Sequence, residues 1–137
     1  MLGSVNSRGG PRVLLVEDHL DTRQMYAEFL GTEFEVVTAA DGEQALDLMR
    51  AHAPDVIVTD LSLPGIDGFE LIARVRADPA FPAIPIICLS GYGGHAHEQR
   101  ARAAGCDRIL QKPCMPDTLA AIVVELVNEA ANRRNPT

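Results

Sequence analysis

Asp60 closes an apolar run, Val56-Ile57-Val58-Thr59, and a turn-rich segment, Leu61-Ser62-Leu63-Pro64-Gly65-Ile66-Asp67-Gly68, follows at once. A carboxylate at the end of a buried strand is costly to desolvate and does little for folding. Its company makes it a chemical signal. Glu17-Asp18 ends the run Val13-Leu14-Leu15-Val16, Ser90 ends Ile86-Ile87-Cys88-Leu89, and Lys112-Pro113 ends Arg108-Ile109-Leu110-Gln111. If the first and third strands are neighbours, Glu17, Asp18 and Asp60 meet at adjacent strand ends. Carboxylates that close repel one another unless a hard divalent cation lies between them. Mg²⁺ suits such a site because it takes few protein carboxylates and accepts phosphate oxygens as further ligands. A carboxylate can itself attack phosphorus and give an acyl phosphate. Lys112 would then neutralise charge on the transferred group, and Ser90 would donate a hydrogen bond to one of its oxygens.

The elements that must position these groups follow from the periodicity. Short apolar runs at residues 13–16, 34–39, 56–58, 86–89 and 108–110 fit strands buried on both faces, as in a parallel sheet. Helical patterns lie between them. Leu119, Ile122, Val123, Leu126, Val127 and Ala130 share one face of a final helix. Asp41-Gly42 opens a helix with Ala45, Leu48 and Met49 inward, and Gly68 precedes one with Leu71, Ile72 and Val75 inward, stopped by Asp78-Pro79. Residues 95–104 offer only Ala96, Ala103 and Ala104 as an apolar side, so this helix is expected to be weakly anchored. The order is β-α five times over, with right-handed crossovers placing helices on both faces.

Size and composition bound the rest. The 137 residues make one domain: a leader at residues 1–10, a folded domain at 11–131 and a tail at 132–137. With 47% hydrophobic and 23% charged residues, the chain has an ordinary globular composition. A net charge of −7 argues against a nucleic-acid surface. Cys88, Cys106 and Cys114 show no metal-ligand spacing and cannot all pair, which fits a reducing, cytoplasmic setting. No stretch approaches a membrane span and no signal-peptide core opens the chain. No DNA-binding domain follows residue 131, so direct transcriptional output is not expected.

Each polar residue also has a bland reading when taken singly. Asp60 could cap a turn, Ser90 could be a loop hydroxyl, Lys112 a surface lysine, and Asp18 the N-cap of the next helix. These would have to hold together at four separate strand ends, which is what the functional reading explains at once. His19 and His52 read as surface residues, and His95 and His97, two apart, do not share a helix face. No G-x-x-x-x-G-K-[ST] or G-x-G-x-x-G occurs, so P-loop and dinucleotide binding are unsupported. Aspartyl phosphatases of the haloacid dehalogenase type carry a second Asp where Ser62 stands, and the D-x-S-x-S adhesion site fails at Pro64.

From about residue 12 to about residue 131 the chain resembles the receiver domain of two-component response regulators. The resemblance rests on Glu17-Asp18, Asp60 with its Leu63-Pro64-Gly65-Ile66-Asp67-Gly68 tail, Ser90 and Lys112-Pro113. It implies an α/β flavodoxin-like (βα)5 fold, a doubly wound parallel sheet of strand order 2-1-3-4-5. It implies Asp60 as phosphoacceptor, with phosphate supplied by a histidine kinase or histidine phosphotransfer protein. Asp18, Asp60 and the Ser62 carbonyl would bind Mg²⁺, with Glu17 acting through water, and Ser90 and Lys112 would hold the phosphoryl oxygens. Autodephosphorylation, a cis Lys112-Pro113 bond and a monomer or weak dimer are implied too. The family usually carries Tyr or Phe two positions after the residue matching Asp107, and here that residue is Ile109. The switch is therefore expected to run through Ser90 and a repacking of Ile109, with the 95–104 helix responding. Tyr92 is expected to shield the acyl phosphate from water. The downstream target stays open, and the alternative is a pseudo-receiver that binds proteins independently of phosphorylation.

Overall fold

The computed structural model describes residues 5–6, 10–81, 83–91 and 94–134. Six strands form one sheet: β1 (Val5–Asn6), β2 (Arg12–Val16), β3 (Glu35–Ala39), β4 (Val56–Asp60), β5 (Ile86–Ser90) and β6 (Arg108–Gln111). Five helices connect or follow them: α1 (Leu20–Leu30), α2 (Gly42–His52), α3 (Gly68–Ala77), α4 (His95–Ala104) and α5 (Pro116–Arg134). The five parallel strands run in the order β3-β2-β4-β5-β6, which is the expected 2-1-3-4-5. The sixth strand was not expected. Val5–Asn6, inside the segment read as a leader, pairs antiparallel with Val36 and Val37 on the edge strand. Two residues carry too little pattern to register as a strand in sequence.

Alternation along the strands divides the core in two. Leu14, Val16, Val37, Ile57, Ile86 and Cys88 face α2, α3 and α4. Val13, Leu15, Val36, Val58, Ile87 and Leu89 face α1 and α5, meeting Tyr26, Leu30, Leu119 and Val123. Burial on both faces explains why the strands read as continuous apolar runs, each buried Val, Leu or Ile contributing about 1.5–3 kcal/mol. All three cysteines are free and buried.

The helix starts follow local chemistry. Asp41 Oδ1 accepts the Gln44 amide at 2.8 Å, and Gln44 Oε1 accepts the Ala40 amide at 2.7 Å, a reciprocal cap for α2. Asp67 Oδ1 accepts the Glu70 amide at 2.9 Å and caps α3. Helix α1 differs from the bland reading of Asp18. Its N-cap position is His19, with no side-chain cap bond, so Asp18 is not spent on capping. No helix among the described residues is long and apolar enough to cross a membrane.

Candidate functional site

Asp60 and Ser90 are the last residues of β4 and β5, one position further into the sheet than the apolar runs alone indicate. Register puts Asp60 opposite Leu89 and Ser90 opposite Gln111, so these strand ends lie side by side. Glu17 follows β2 and its amide continues the ladder by donating to the Ala39 carbonyl at 3.0 Å. Lys112 is pinned to the same edge by its own amide, which donates to the Ser90 carbonyl at 2.8 Å. The Lys112-Pro113 bond is cis, as the resemblance implied. Three polar side chains are thereby buried at one edge: Glu17 is 0% exposed, Asp60 4% and Ser90 5%.

One ammonium serves two of the carboxylates. Lys112 Nζ donates to Asp60 Oδ2 at 2.5 Å and to Glu17 Oε1 at 2.9 Å. Burial pulls the Lys112 pKa down, but the hydrogen bonds and charges of Asp60 and Glu17 together outweigh it and leave the pKa above the usual lysine value. The other Asp60 oxygen, Oδ1, accepts the Ser62 amide at 3.0 Å, so the turn-capping reading applies to that oxygen as well. The turn is held tightly from behind. A Cβ on Gly68 would meet the Asp60 carbonyl oxygen at 2.5 Å and Leu61 Cα at 2.6 Å, so only glycine lets α3 start against the Asp60 backbone.

Asp18 stands apart from this pair. Its Oδ1 is shut off from solvent and has no hydrogen-bond partner among the described residues. An orphaned buried carboxylate oxygen beside two further acids is what a bound cation would satisfy. His19, read in sequence as a surface residue, is exposed but belongs to the site. Its amide donates to Glu17 Oε2 at 3.1 Å, and its Nδ1 lies 3.6 Å from both Glu17 Oε2 and Asp18 Oδ1. Glu17, Asp18 and His19 each offer a ligand atom within 4.8 Å of the others. The adjacency of His19 to the acid pair was visible in the sequence, but the direction of its ring was not.

Asp18, His19, Asp60 and Lys112 line a cleft of about 540 Å³ that also takes in Ser62 and Ser90. Its far wall comes from α3 and α4, where Phe69 meets the His97 ring edge-on at 5.0 Å between centroids and the Arg100 guanidinium stacks 4.0 Å over Phe69. This corrects the expected face of α4. Ala96 and Ala103 are exposed, and the inward residues are Ala101, His97 and Ala104, spaced four and three apart. The helix is anchored through His97 and Arg100 as well as alanine, a contact that an apolar count overlooks. Ile109, opposite Cys88 in the register, is half-buried and packs on the core cluster that contains Ala101. Tyr92 lies outside the described residues.

Five parallel strands with an acidic, lysine-bridged cleft above their C-terminal ends place that cleft where open α/β sheets bind their ligands. Known proteins agree. Residues 13–124 match the family model described as the response regulator receiver domain, and the chain belongs to that family. It is 32% identical over 117 residues to the response regulator Rre1 of Synechocystis, covering 84% of this chain and 51% of that protein. It is 42% identical over 128 residues to the virulence sensor protein BvgS of Bordetella pertussis, covering 88% of this chain but 10% of the sensor. The chain thus spans about half of the first relative and a tenth of the second. The chemotaxis protein CheY4 of Vibrio cholerae superposes with a TM-score of 0.81 at 33% identity, covering 86% of this chain and 99% of that one.

Proposed function

We propose that this chain is a phosphoacceptor of a two-component or phosphorelay pathway, taking a phosphoryl group onto Asp60 from a phosphohistidine partner. The observation that carries the reading is the Lys112 ammonium shared by Asp60 and Glu17, with the orphaned Asp18 oxygen beside them. An Asp60 carboxylate oxygen attacks phosphorus, the P–N bond to the donor histidine breaks, and the imidazole leaves with a proton. The product is an acyl phosphate. Lys112 moves from Asp60 to a phosphoryl oxygen, exchanging one charge-assisted bond for another. Ser90, at the neighbouring strand end, donates its hydroxyl to a second oxygen. Asp18, Asp60 and the Ser62 carbonyl would hold Mg²⁺, with Glu17 through water; when bound, the ion neutralises charge on the phosphoryl oxygens. Hydrolysis of the acyl phosphate by the domain itself resets the signal.

The donor, a histidine kinase or histidine phosphotransfer protein, docks beside the site. Leu20, Met25 and Phe29 of α1 and Met115 are exposed apolar side chains, and Met25, Phe29 and Pro116 share one hollow. This strip runs from the residue after His19 to three residues beyond Lys112, so a helical partner lying on it would present its histidine to Asp60. A cytoplasmic setting follows from that chemistry.

Acetyl phosphate with Mg²⁺ should label the protein, and Asp60→Asn should not be labelled. Equal labelling of the variant, or labelling indifferent to chelation, overturns the reading and leaves phosphorylation-independent binding. Phe29→Glu with Met115→Glu should slow transfer from a phosphohistidine protein at least about tenfold, the loss expected on removing apolar anchors from an interface. Labelling by acetyl phosphate should be unchanged in that variant. Parallel losses with both donors would place the docking surface elsewhere.

A further inference from the structure

The acid pair has a neighbour that a magnesium site does not need. His19 Nδ1 sits 3.6 Å from Glu17 Oε2 and 3.6 Å from Asp18 Oδ1, and the second of these is the buried oxygen without a hydrogen-bond partner. Two ligand atoms each about 2.0–2.2 Å from one cation stand between roughly 3 and 4.3 Å apart, so the spacing between His19 Nδ1 and Asp18 Oδ1 fits a shared ion. The backbone holds this arrangement in place. The His19 amide is fastened to Glu17 Oε2, and Arg23 Nη1 donates to the Glu17 carbonyl at 2.9 Å, which fixes the turn into α1. The His19 ring opens into the same cleft as Asp18, Asp60 and Ser62.

We propose that His19 is an additional ligand, through Nδ1, of the divalent cation at this site, and that it biases the site away from Mg²⁺ and toward later first-row transition ions such as Co²⁺. The proposal rests on the reading of Glu17 and Asp18 as a cation site. Mg²⁺ is hard, prefers oxygen and keeps its waters, so it gains little from an imidazole. Co²⁺ binds imidazole nitrogen well, and with carboxylates it makes a mixed N/O set of ordinary kind. A receiver built only from oxygen donors discriminates among divalent ions weakly; His19 gives this one a nitrogen with which to favour transition ions. The signalling state of the domain would then depend on which metal is available as well as on the phosphodonor.

Titration of the whole chain with Mg²⁺ and with Co²⁺, for wild type, His19→Ala and Asp18→Asn, tests this. Because the His19 side chain is 76% exposed, its removal leaves the core untouched. His19→Ala should weaken Co²⁺ at least about tenfold, the scale on which even outer-shell partners of a metal act. Mg²⁺ affinity should move by less than about twofold. Proton spectra of the Co²⁺ form should show one hyperfine-shifted, exchangeable imidazole N–H in the wild type, absent in His19→Ala and retained in His97→Ala. Equal Co²⁺ affinity in wild type and His19→Ala, or a shifted N–H that survives the loss of His19, overturns the proposal while the cation site stands. Binding of neither ion, or binding unaffected by Asp18→Asn, removes the cation site and His19's role with it.

Discussion

The two ends of the sheet both carry carboxylates and cations, but in opposite proportions. At the N-terminal end two arginines serve the acids. Arg12 pairs with Glu35 at 3.0 Å, and its amide donates to Asp55 at 2.8 Å. Arg76 pairs with Asp107 at 2.9 Å and also donates to the carbonyls of Ile84 and Gly105. Asp107 Oδ2 in turn accepts the Ile86 amide at 2.8 Å, so this end is a clamp across α3, β5 and β6. At the C-terminal end Lys112 is the one lysine or arginine among the described residues that pairs with the Glu17 and Asp60 carboxylates, while Asp18 Oδ1 goes without a hydrogen bond. Arg12 Nε is also unpartnered, yet its other nitrogens reach the His52 carbonyl and Glu35. The clamp is complete within the chain, whereas the acid cleft is short of positive charge. An end that needs a cation from outside is one whose stability and function an ion can set.

Removing each cation should expose that difference. Lys112→Met leaves Glu17 and Asp60 buried without their ammonium. It should cost roughly 2–4 kcal/mol in metal-free buffer, near or below the range for broken buried pairs because Lys112 is partly exposed. Millimolar Mg²⁺ should restore part of that loss in chemical denaturation, since the ion binds the folded state only. A loss that Mg²⁺ leaves untouched would break the comparison. Arg76→Ala should cost about 1–3 kcal/mol by stranding part-buried acceptors, and Mg²⁺ should recover nothing of it beyond what it adds to the wild type.

Helix α4 offers a smaller contrast between two supports of one cleft wall. Ala101 is buried outright, while His97 and Arg100 are held through Phe69. Phe69→Leu keeps an apolar filling but removes the ring, and should raise amide exchange most in residues 94–104. Its effect on stability should be about 1 kcal/mol, the scale of an aromatic or cation–π contact. If exchange rises equally across α5, the ring supports the whole domain rather than α4.

What was legible in the sequence was whatever lies within one run. Asp60, Ser90 and Lys112 each end an apolar segment, so their places at one sheet edge follow from the strand order alone. Helices α2, α3 and α5 bury the faces that their spacing marks. What was missed depends on groups far apart in the chain or on side-chain direction. The Arg76–Asp107 clamp joins residues 31 apart, and nothing in either neighbourhood announces it. His97 and Arg100 count as polar in any periodicity, so the spacing places Ala104 correctly on the inward face of α4 but puts Ala96 and Ala103 there in place of Ala101 and His97. His19 was adjacent to the acids in sequence, but only the turn into α1 aims its ring at them.

Alkaline pH should separate the two ends most finely. Arginines remain charged throughout the accessible range, so the clamp has no alkaline titration of its own. Lys112 does titrate, and its folded pKa is raised above the unfolded value by Asp60 and Glu17 against the opposing pull of burial. A raised lysine contributes stability that is fully present below its unfolded pKa and is lost as pH climbs through the folded one. Tyr26, raised by burial and donating to the Cys114 carbonyl at 2.7 Å, follows the same sign at this end, as does the buried Cys114 thiol. In metal-free buffer, the stability gap between wild type and Lys112→Met should hold level between about pH 6 and pH 9 and narrow above about pH 10. The gap between wild type and Arg76→Ala should stay flat over the same range. Denaturant titrations at each pH measure both, and a Lys112 gap that remains level through about pH 11 would mean that the ammonium is not what holds the acid cleft together.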